Sequence, residues 1–309
     1  MVASDIHGSD MVWKKFLNAS KQFDIDVLLM NGDLAGKILV PAERRRLGWT
    51  VHFEGRPLEL ETDIELNEVF AKARQMGQYP YLAEHGEIEQ LRNSQEYLER
   101  VFRKVIRSSV SQWMEIASAR LEGTKTRLFV MPGNDDPPDV AEVLTESGIE
   151  NPEGKIIELD SQHQMVALGY SNITPWKTPR ELEEPDIRQR LDHDFAGVKE
   201  PALTVGAIHC PPFDSGLDTA PALDENFRVI HDTGQPRMTA VGSPAVREVL
   251  EKYQPLLSLH GHIHESAGTR KIGSTLAINP GSEYGDGTLK ATLVSIKGAK
   301  VLGHQFING

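Results

Sequence analysis

The sequence predicts an α/β fold built on a mixed sheet. Short apolar runs that stop at clusters of Gly with Asp, Asn or His alternate with amphipathic helical stretches, the pattern of parallel strands joined by helices. The C-terminal third is richer in strand-like sequence broken by glycine-containing turns, which adds antiparallel pairing. With 39% hydrophobic and 25% charged side chains, the 309 residues support a single folded domain carrying an insertion, not a disordered or fibrous chain.

The elements follow in order. Only three residues precede the polar cluster Ser4-Asp5-Ile6-His7-Gly8, which leaves very little strand in front of it and suggests a truncated or misassigned start. Residues 9–22 carry Met11, Val12, Phe16 and Leu17 at helical spacing, and Val27-Leu28-Leu29-Met30 reads as a buried strand running into Asn31-Gly32-Asp33. From about 38 to 126 the rhythm breaks, and this stretch is expected to be a mostly helical insertion or cap. Within it Ile88, Leu91, Leu98, Val101, Phe102, Val105, Ile106, Trp113 and Ile116 predict one long amphipathic helix whose apolar stripe packs on the body of the same chain. Arg44-Arg45-Arg46 reads as a solvated face, with an anion-steering lip beside an active site as the alternative.

A second strand, Arg127–Met131, runs into Pro132-Gly133-Asn134-Asp135-Asp136, and a helix is expected over 139–147 after the Pro-Pro break. The Pro-, Glu- and Arg-rich stretch at 175–201 looks like a surface excursion with a helical turn or two. Leu203–Ile208 stops at His209-Cys210-Pro211-Pro212, and 244–253 forms a helix with Ser243 as N-cap and Pro244 at its first position. Leu256–Leu259 stops at His260-Gly261-His262-Ile263-His264. Ser274–Ile278, Leu289–Ile296 and Lys300–Phe306 are expected to form an antiparallel meander.

The charge sum of 33 basic and 45 acidic residues, −12, argues against a general nucleic-acid or anionic-membrane surface. One cysteine, Cys210, forbids an intramolecular disulfide or a thiolate zinc cluster, so any metal must use His, Asp, Glu or Asn. No apolar run approaches the ~18 residues of a membrane span and no basic segment followed by an apolar stretch opens the chain, so a cytoplasmic location is expected.

Asp5-x-His7 places two ligands on one side of an extended segment, and His262-x-His264 does the same if extended. The ordered set Asp5, His7, Asp33, Asn134, His209, His262 and His264 offers only oxygen and imidazole donors, each near a strand end and most beside a glycine. Seven ligands exceed one tetrahedral ion, whereas two cations sharing a carboxylate account for them. Asp33, between the two ligand groups in chain order, is the expected bridge. Such a pair activates water for in-line attack at phosphorus without a protein nucleophile.

The order D-x-H, G-D, G-N, isolated H, G-H-x-H resembles the calcineurin-like metallophosphoesterases. The resemblance covers about 1–36 and 126–306 and implies a two-sheet mixed β sandwich flanked by helices, with a dinuclear centre at the ends of the central strands. It implies that one cation takes Asp5, His7, Asp33 and His264, and the second Asp33, Asn134, His209 and His262. Mn²⁺ is the expected metal, with Fe, Zn or Ni as alternatives. The turn Asn279-Pro280-Gly281-Ser282 looks like one common in prokaryotic members. In the resembling family a His follows the Asn and serves the leaving oxygen. Here Asp135 takes that position, beside Asp136, and could act as the acid only with a raised pKa.

These readings converge on a metal-dependent phosphoesterase of small or nucleotide-like phosphodiesters, with Asn134 and Asp135 as catalytic candidates and a small phosphorylated molecule as partner. The alternatives are a non-catalytic metal-binding interaction scaffold and a nuclease acting on DNA or RNA. His260 is expected to hydrogen-bond behind the ligands. Cys210 is expected to be buried, and the remaining histidines lack motif context.

Overall fold

In the computed structural model, which describes residues 1–309, the chain opens with strand β1 (Val2–Ala3), helix α1 (Asp10–Gln22) and β2 (Val27–Asn31). Next come β3 (Ile38–Arg44), β4 (Trp49–Phe53), β5 (Arg56–Leu60), α2 (Asp63–Gln75), β6 (Gln78–Ala83), α3 (Glu87–Asn93) and α4 (Gln95–Leu121). Strand β7 (Arg127–Met131) and helix α5 (Pro138–Ser147) lead to β8 (Ile157–Glu158), β9 (Gln164–Leu168), α6 (Glu184–Ala196) and β10 (Thr204–Ile208). Helix α7 (Pro244–Tyr253) precedes β11 (Leu257–Leu259), β12 (Gly268–Ile272), β13 (Thr275–Asn279), β14 (Lys290–Lys297) and β15 (Lys300–Asn308).

Two mixed sheets carry the body, one of five strands ordered β15-β14-β1-β2-β7 and one of six ordered β12-β13-β11-β10-β9-β8. Both faces of the central strands are buried, which is why their sequences are continuous apolar runs. Leu29, Phe129 and Met131 face Met165, Ala167, Val205, Ala207, Leu257 and Ile278 in the core between the sheets. Leu28, Met30, Leu128 and Val130 point the other way, onto α1, α4 and α5. On the far side Val166, Leu168 and Ile208 meet α6 and α7. The chain is therefore mixed α/β, with two sheets packed face to face between helices.

β1 pairs on both sides, Val2 with Leu29 of β2 in parallel and with Thr292 of β14 antiparallel, so two residues form a central strand.

The stretch 38–126, expected to be mostly helical, holds α2, α3 and α4 and also a four-stranded sheet that was not expected, ordered β5-β4-β3-β6. Its core of Val40, Ala42, Val51, Phe53, Leu66, Phe70 and Ala73 is closed by α2, whose first turn carries a reciprocal cap between Thr62 and Glu65. The expected single long helix is two, because the Ser94 hydroxyl accepts from the Tyr97 N–H and starts α4 anew. The α4 stripe packs on the same chain: Trp113 stacks on Trp13 of α1 at 5.5 Å, and its indole donates to Asp10. Arg44 pairs with Asp63 and Arg45 with Glu59 on the surface.

Two further expectations are corrected. The C-terminal strands are not one meander, since β13 lies in the six-stranded sheet and the β14–β15 hairpin in the five-stranded one, with residues 280–289 crossing between them. The stretch 175–201 is also more than a surface excursion. α6 buries Ile187, Leu191 and Phe195 as part of the outer core. No helix is long and apolar enough to cross a membrane.

Candidate metal centre

Seven donors converge where strands of both sheets end. Asp5 and His7 follow β1, Asp33 follows β2, Asn134 follows β7, His209 follows β10, and His262 and His264 follow β11. Asp5, His7, Asp33, Asn134 and His209 are buried, while His262 and His264 are half-buried. Strands that are parallel and adjacent deliver their following loops to one edge, so ligands distant in sequence meet without long connections.

The local backbone differs from the extended segments expected for the two ligand pairs. Asp5 (φ 57°), His7 (φ 37°), Asp33 (φ 53°) and His262 (φ 67°) all adopt the left-handed region that side chains with a Cβ rarely enter. The ligands face one another because the chain turns sharply at each, and such strain concentrates at functional sites. Glycine allows the close approach. A Cβ on Gly133 would overlap the Asp33 carboxylate, and one on Gly261 would overlap Ser4 and Asp5.

Two ligand groups result, Asp5 with His7 and His264, and Asp33 with His209 and His262, with donor atoms in each within 4.8 Å of one another, and Asp135 joins His7 and Asp33 in a third set of the same spacing. Asp33 spans them, its Oδ2 being 3.7 Å from His7 Nε2 and 3.5 Å from His209 Nε2. Asp5 Oδ1 lies 3.4 Å from His264 Nε2. Asn134 Oδ1 is 3.0 Å from His209 Nε2, while its Nδ2 donates to Thr178 Oγ1 and aims the oxygen inward.

The outer ring nitrogens are tethered. His209 Nδ1 bonds the Asn31 carbonyl at 2.7 Å and His7 Nδ1 the Ala35 carbonyl at 3.4 Å, which leaves each Nε2 to the centre, the arrangement of metal-ligating imidazoles. His7 Nε2 and His264 Nε2 face each other at 3.1 Å. Two lone-pair nitrogens at this separation need a proton or a cation between them. The donor set fits hard or borderline divalent cations.

The electrostatics point the same way. Burial opposes charge on Asp33, but the neighbouring His209 and His7 hold it well below the usual carboxylate range. Burial likewise lowers His209, and Asp33 and Asp5 outweigh it, shifting this imidazole upward. His7 and His262 are pushed down to about 4, chiefly by burial, and are neutral donors at pH 7. Burial and then the Asp33 charge raise Asp135 to about 6, against the pull of Lys37.

Residues beyond the seven donors brace the site. Asp136 is fully buried and accepts from the N–H groups of Leu34 (3.0 Å), Ala35 (2.7 Å) and Gly133 (2.7 Å), tying the loop after β2 to that after β7. Burial and Asp33 push it up to about 7 against those three donors. Ser282 donates to the Asp5 carbonyl at 2.6 Å, and Asn279 donates to the carbonyl of Ile263 at 2.9 Å, so the Asn279–Ser282 turn braces both halves of the first ligand group. Tyr284 packs its ring 4.7 Å from that of His7. His260 is buried behind the ligands, bonding the Ile208 carbonyl and Ser258. Cys210 is buried.

The strands between 38 and 83 touch the centre's edge through one turn. Ser9 donates to the Gln75 carbonyl at 2.7 Å, and the Tyr79 hydroxyl accepts from the Gly36 N–H at 2.9 Å.

No protein-family model matches the chain. Over 155 residues, half of its length, it is 31% identical to the uncharacterized protein MJ1162 of Methanocaldococcus jannaschii and spans 63% of that protein. Among solved structures, that of TT1561 of Thermus thermophilus superposes with a TM-score of 0.55 at 12% identity, covering 100% of this chain and 96% of that one. A second crystal structure gives 0.56 at 13% identity over 99% and 93%. At these identities the likeness is one of fold.

Proposed function

We propose that this chain is a metal-dependent phosphoesterase of the calcineurin-like kind, acting on phosphodiesters of small or nucleotide-like molecules. The observation that carries the reading is the convergence of seven imidazole, carboxylate and carboxamide groups into two ligand groups spanned by Asp33. Asp5, His7, Asp33 and His264 would hold one divalent cation, and Asp33, Asn134, His209 and His262 a second. Mn²⁺ is our first choice, with Fe, Zn or Ni as alternatives. When bound, two such cations supply the Lewis acidity that activates water and neutralises charge on phosphoryl oxygens.

The protein's own contribution is to fix geometry. The backbone tethers on His7 and His209 set which ring nitrogen faces the centre, and Thr178 sets which end of the Asn134 amide does so. Asp136 locks two ligand loops together, which keeps the donors in place before substrate arrives. A cytoplasmic setting belongs to the same proposal and rests on a single, buried cysteine.

The test is hydrolysis of a chromogenic phosphodiester and its monoester by chelator-stripped protein with Mn²⁺ restored, alongside elemental analysis. Metal-dependent turnover with about two ions per chain supports the reading. Tight metal binding with no turnover on either substrate would favour a non-catalytic scaffold.

A further inference from the structure

Lys37 follows the Asp33 loop by four residues and stands at the start of the excursion. Its ammonium pairs with the Asp135 carboxylate, and no other ion pair engages it. Asp135 is itself part of the centre's wall, since its N–H donates to Asp33 Oδ1 at 2.9 Å and its Oδ2 lies 3.9 Å from His7 Nδ1. The Lys37 side chain is 56% exposed, so its ammonium stands between this wall and solvent.

The charge pattern raises a question about substrate. Asp135 occupies a position where a phosphoryl group, itself anionic, would meet a carboxylate. A bare carboxylate there repels the ester. Paired with an ammonium, the same position becomes neutral overall and presents further N–H donors, because an ammonium has three and Asp135 need take only one.

We infer that Lys37 is the cationic group that binds a non-bridging phosphoryl oxygen of the substrate, with Asp135 as the residue that positions it. This rests on the phosphoesterase reading above. Asp135 acts through Lys37 here and not as a proton donor.

The test uses the full chain loaded with Mn²⁺ and compares Lys37→Ala, Lys37→Arg, Asp135→Ala and the double variant Lys37→Ala/Asp135→Ala. Metal content and melting temperature are read first, then kcat and KM on a chromogenic phosphodiester, and separately the Kd of inorganic phosphate by calorimetry. Loss of a charged hydrogen bond predicts that Lys37→Ala keeps its metal while KM and the phosphate Kd both rise about tenfold or more. Lys37→Arg should recover most of that loss. Asp135→Ala should weaken phosphate binding less than Lys37→Ala does, and the double variant should be no worse than Lys37→Ala alone. Unchanged phosphate affinity in Lys37→Ala, or loss of metal from it, overturns the inference. Because phosphate binding is measured without turnover, an inactive wild type would count against the phosphoesterase reading and leave this result legible.

Discussion

His7 Nε2 lies 3.1 Å from His264 Nε2, although the residues are 257 positions apart and each ring is held by its own loop. His7 has its other nitrogen at the Ala35 carbonyl and its ring against Tyr284, so it cannot easily turn away. Facing nitrogens of this kind are repulsive unless something positive lies between them, and stability should then depend on what is bound. Removal of metal with a chelator should lower the melting temperature, and Mn²⁺ at about 100 times its Kd should raise it by roughly 5 °C or more. A melting curve indifferent to chelator and Mn²⁺ would sink the metal assignment.

Asp33 Oδ2 lies 3.7 Å from His7 Nε2 and 3.5 Å from His209 Nε2, so it reaches both groups more closely than Asp5, whose Oδ1 is 3.9 Å from His209 Nε2. Asp33→Ala should therefore deplete both ions, whereas His264→Ala should spare the second. Elemental analysis should show the difference. Turnover in Asp33→Ala should fall by more than the ~100-fold typical of losing an outer hydrogen-bond partner. Wild-type rates in Asp33→Ala would exclude a two-metal mechanism.

Asp136 accepts three backbone N–H groups in a fully buried position. Asp136→Ala leaves all three without an acceptor and should destabilise the fold by about 3 kcal/mol. Asp136→Asn, which keeps one acceptor oxygen, should cost less. Urea unfolding of the metal-free proteins separates the two, and a midpoint for Asp136→Ala equal to that of the wild type would show that the three bonds contribute nothing net.

Asp135→His restores the G-N-H-D order of the resembling family at Gly133–Asp136. It should raise the ratio of monoester to diester hydrolysis by roughly tenfold or more through an added acid, while Lys37 loses its partner. Paired kinetics on the two chromogenic esters would reveal it. An unchanged ratio would remove this position from the leaving-group chemistry.

Much of the fold was legible because the central strands are buried on both faces, so runs such as Leu28–Met30 and Phe129–Met131 stand out from their surroundings. The candidate ligands Asp33, Asn134, His209 and His262 stood out because each follows such a run, whereas Asp5 follows only two strand residues. What could not be read is how they meet. Positive φ at Asp5, His7, Asp33 and His262 is imposed by tertiary contacts, and Asp136 resembles any other acidic residue until its three donors are in place.

The sheet over residues 38–83 was missed although a signal existed. Trp49–Phe53 and Arg56–Leu60 flank Glu54-Gly55, a two-residue turn with positive φ at both positions, which is a hairpin signature. The charged residues around it obscured the alternation. Likewise Ser274–Ile278 and Leu289–Ile296 are close in sequence yet belong to different sheets, a distinction that spacing alone does not carry.

The placement of β1 between β2 and β14 also bears on how the molecule is made. Val2 and Ala3 gain their outer partners only when Thr292 and Ala291 have been synthesised, and neither ligand group is complete before the His262–His264 segment emerges from the ribosome. Strand β1 can meet β2 early but gains its second edge only across some 290 residues of chain, a high-contact-order pairing. On the proposed metal reading, the full ligand set of either cation therefore forms only once the segment carrying His262 and His264 has docked.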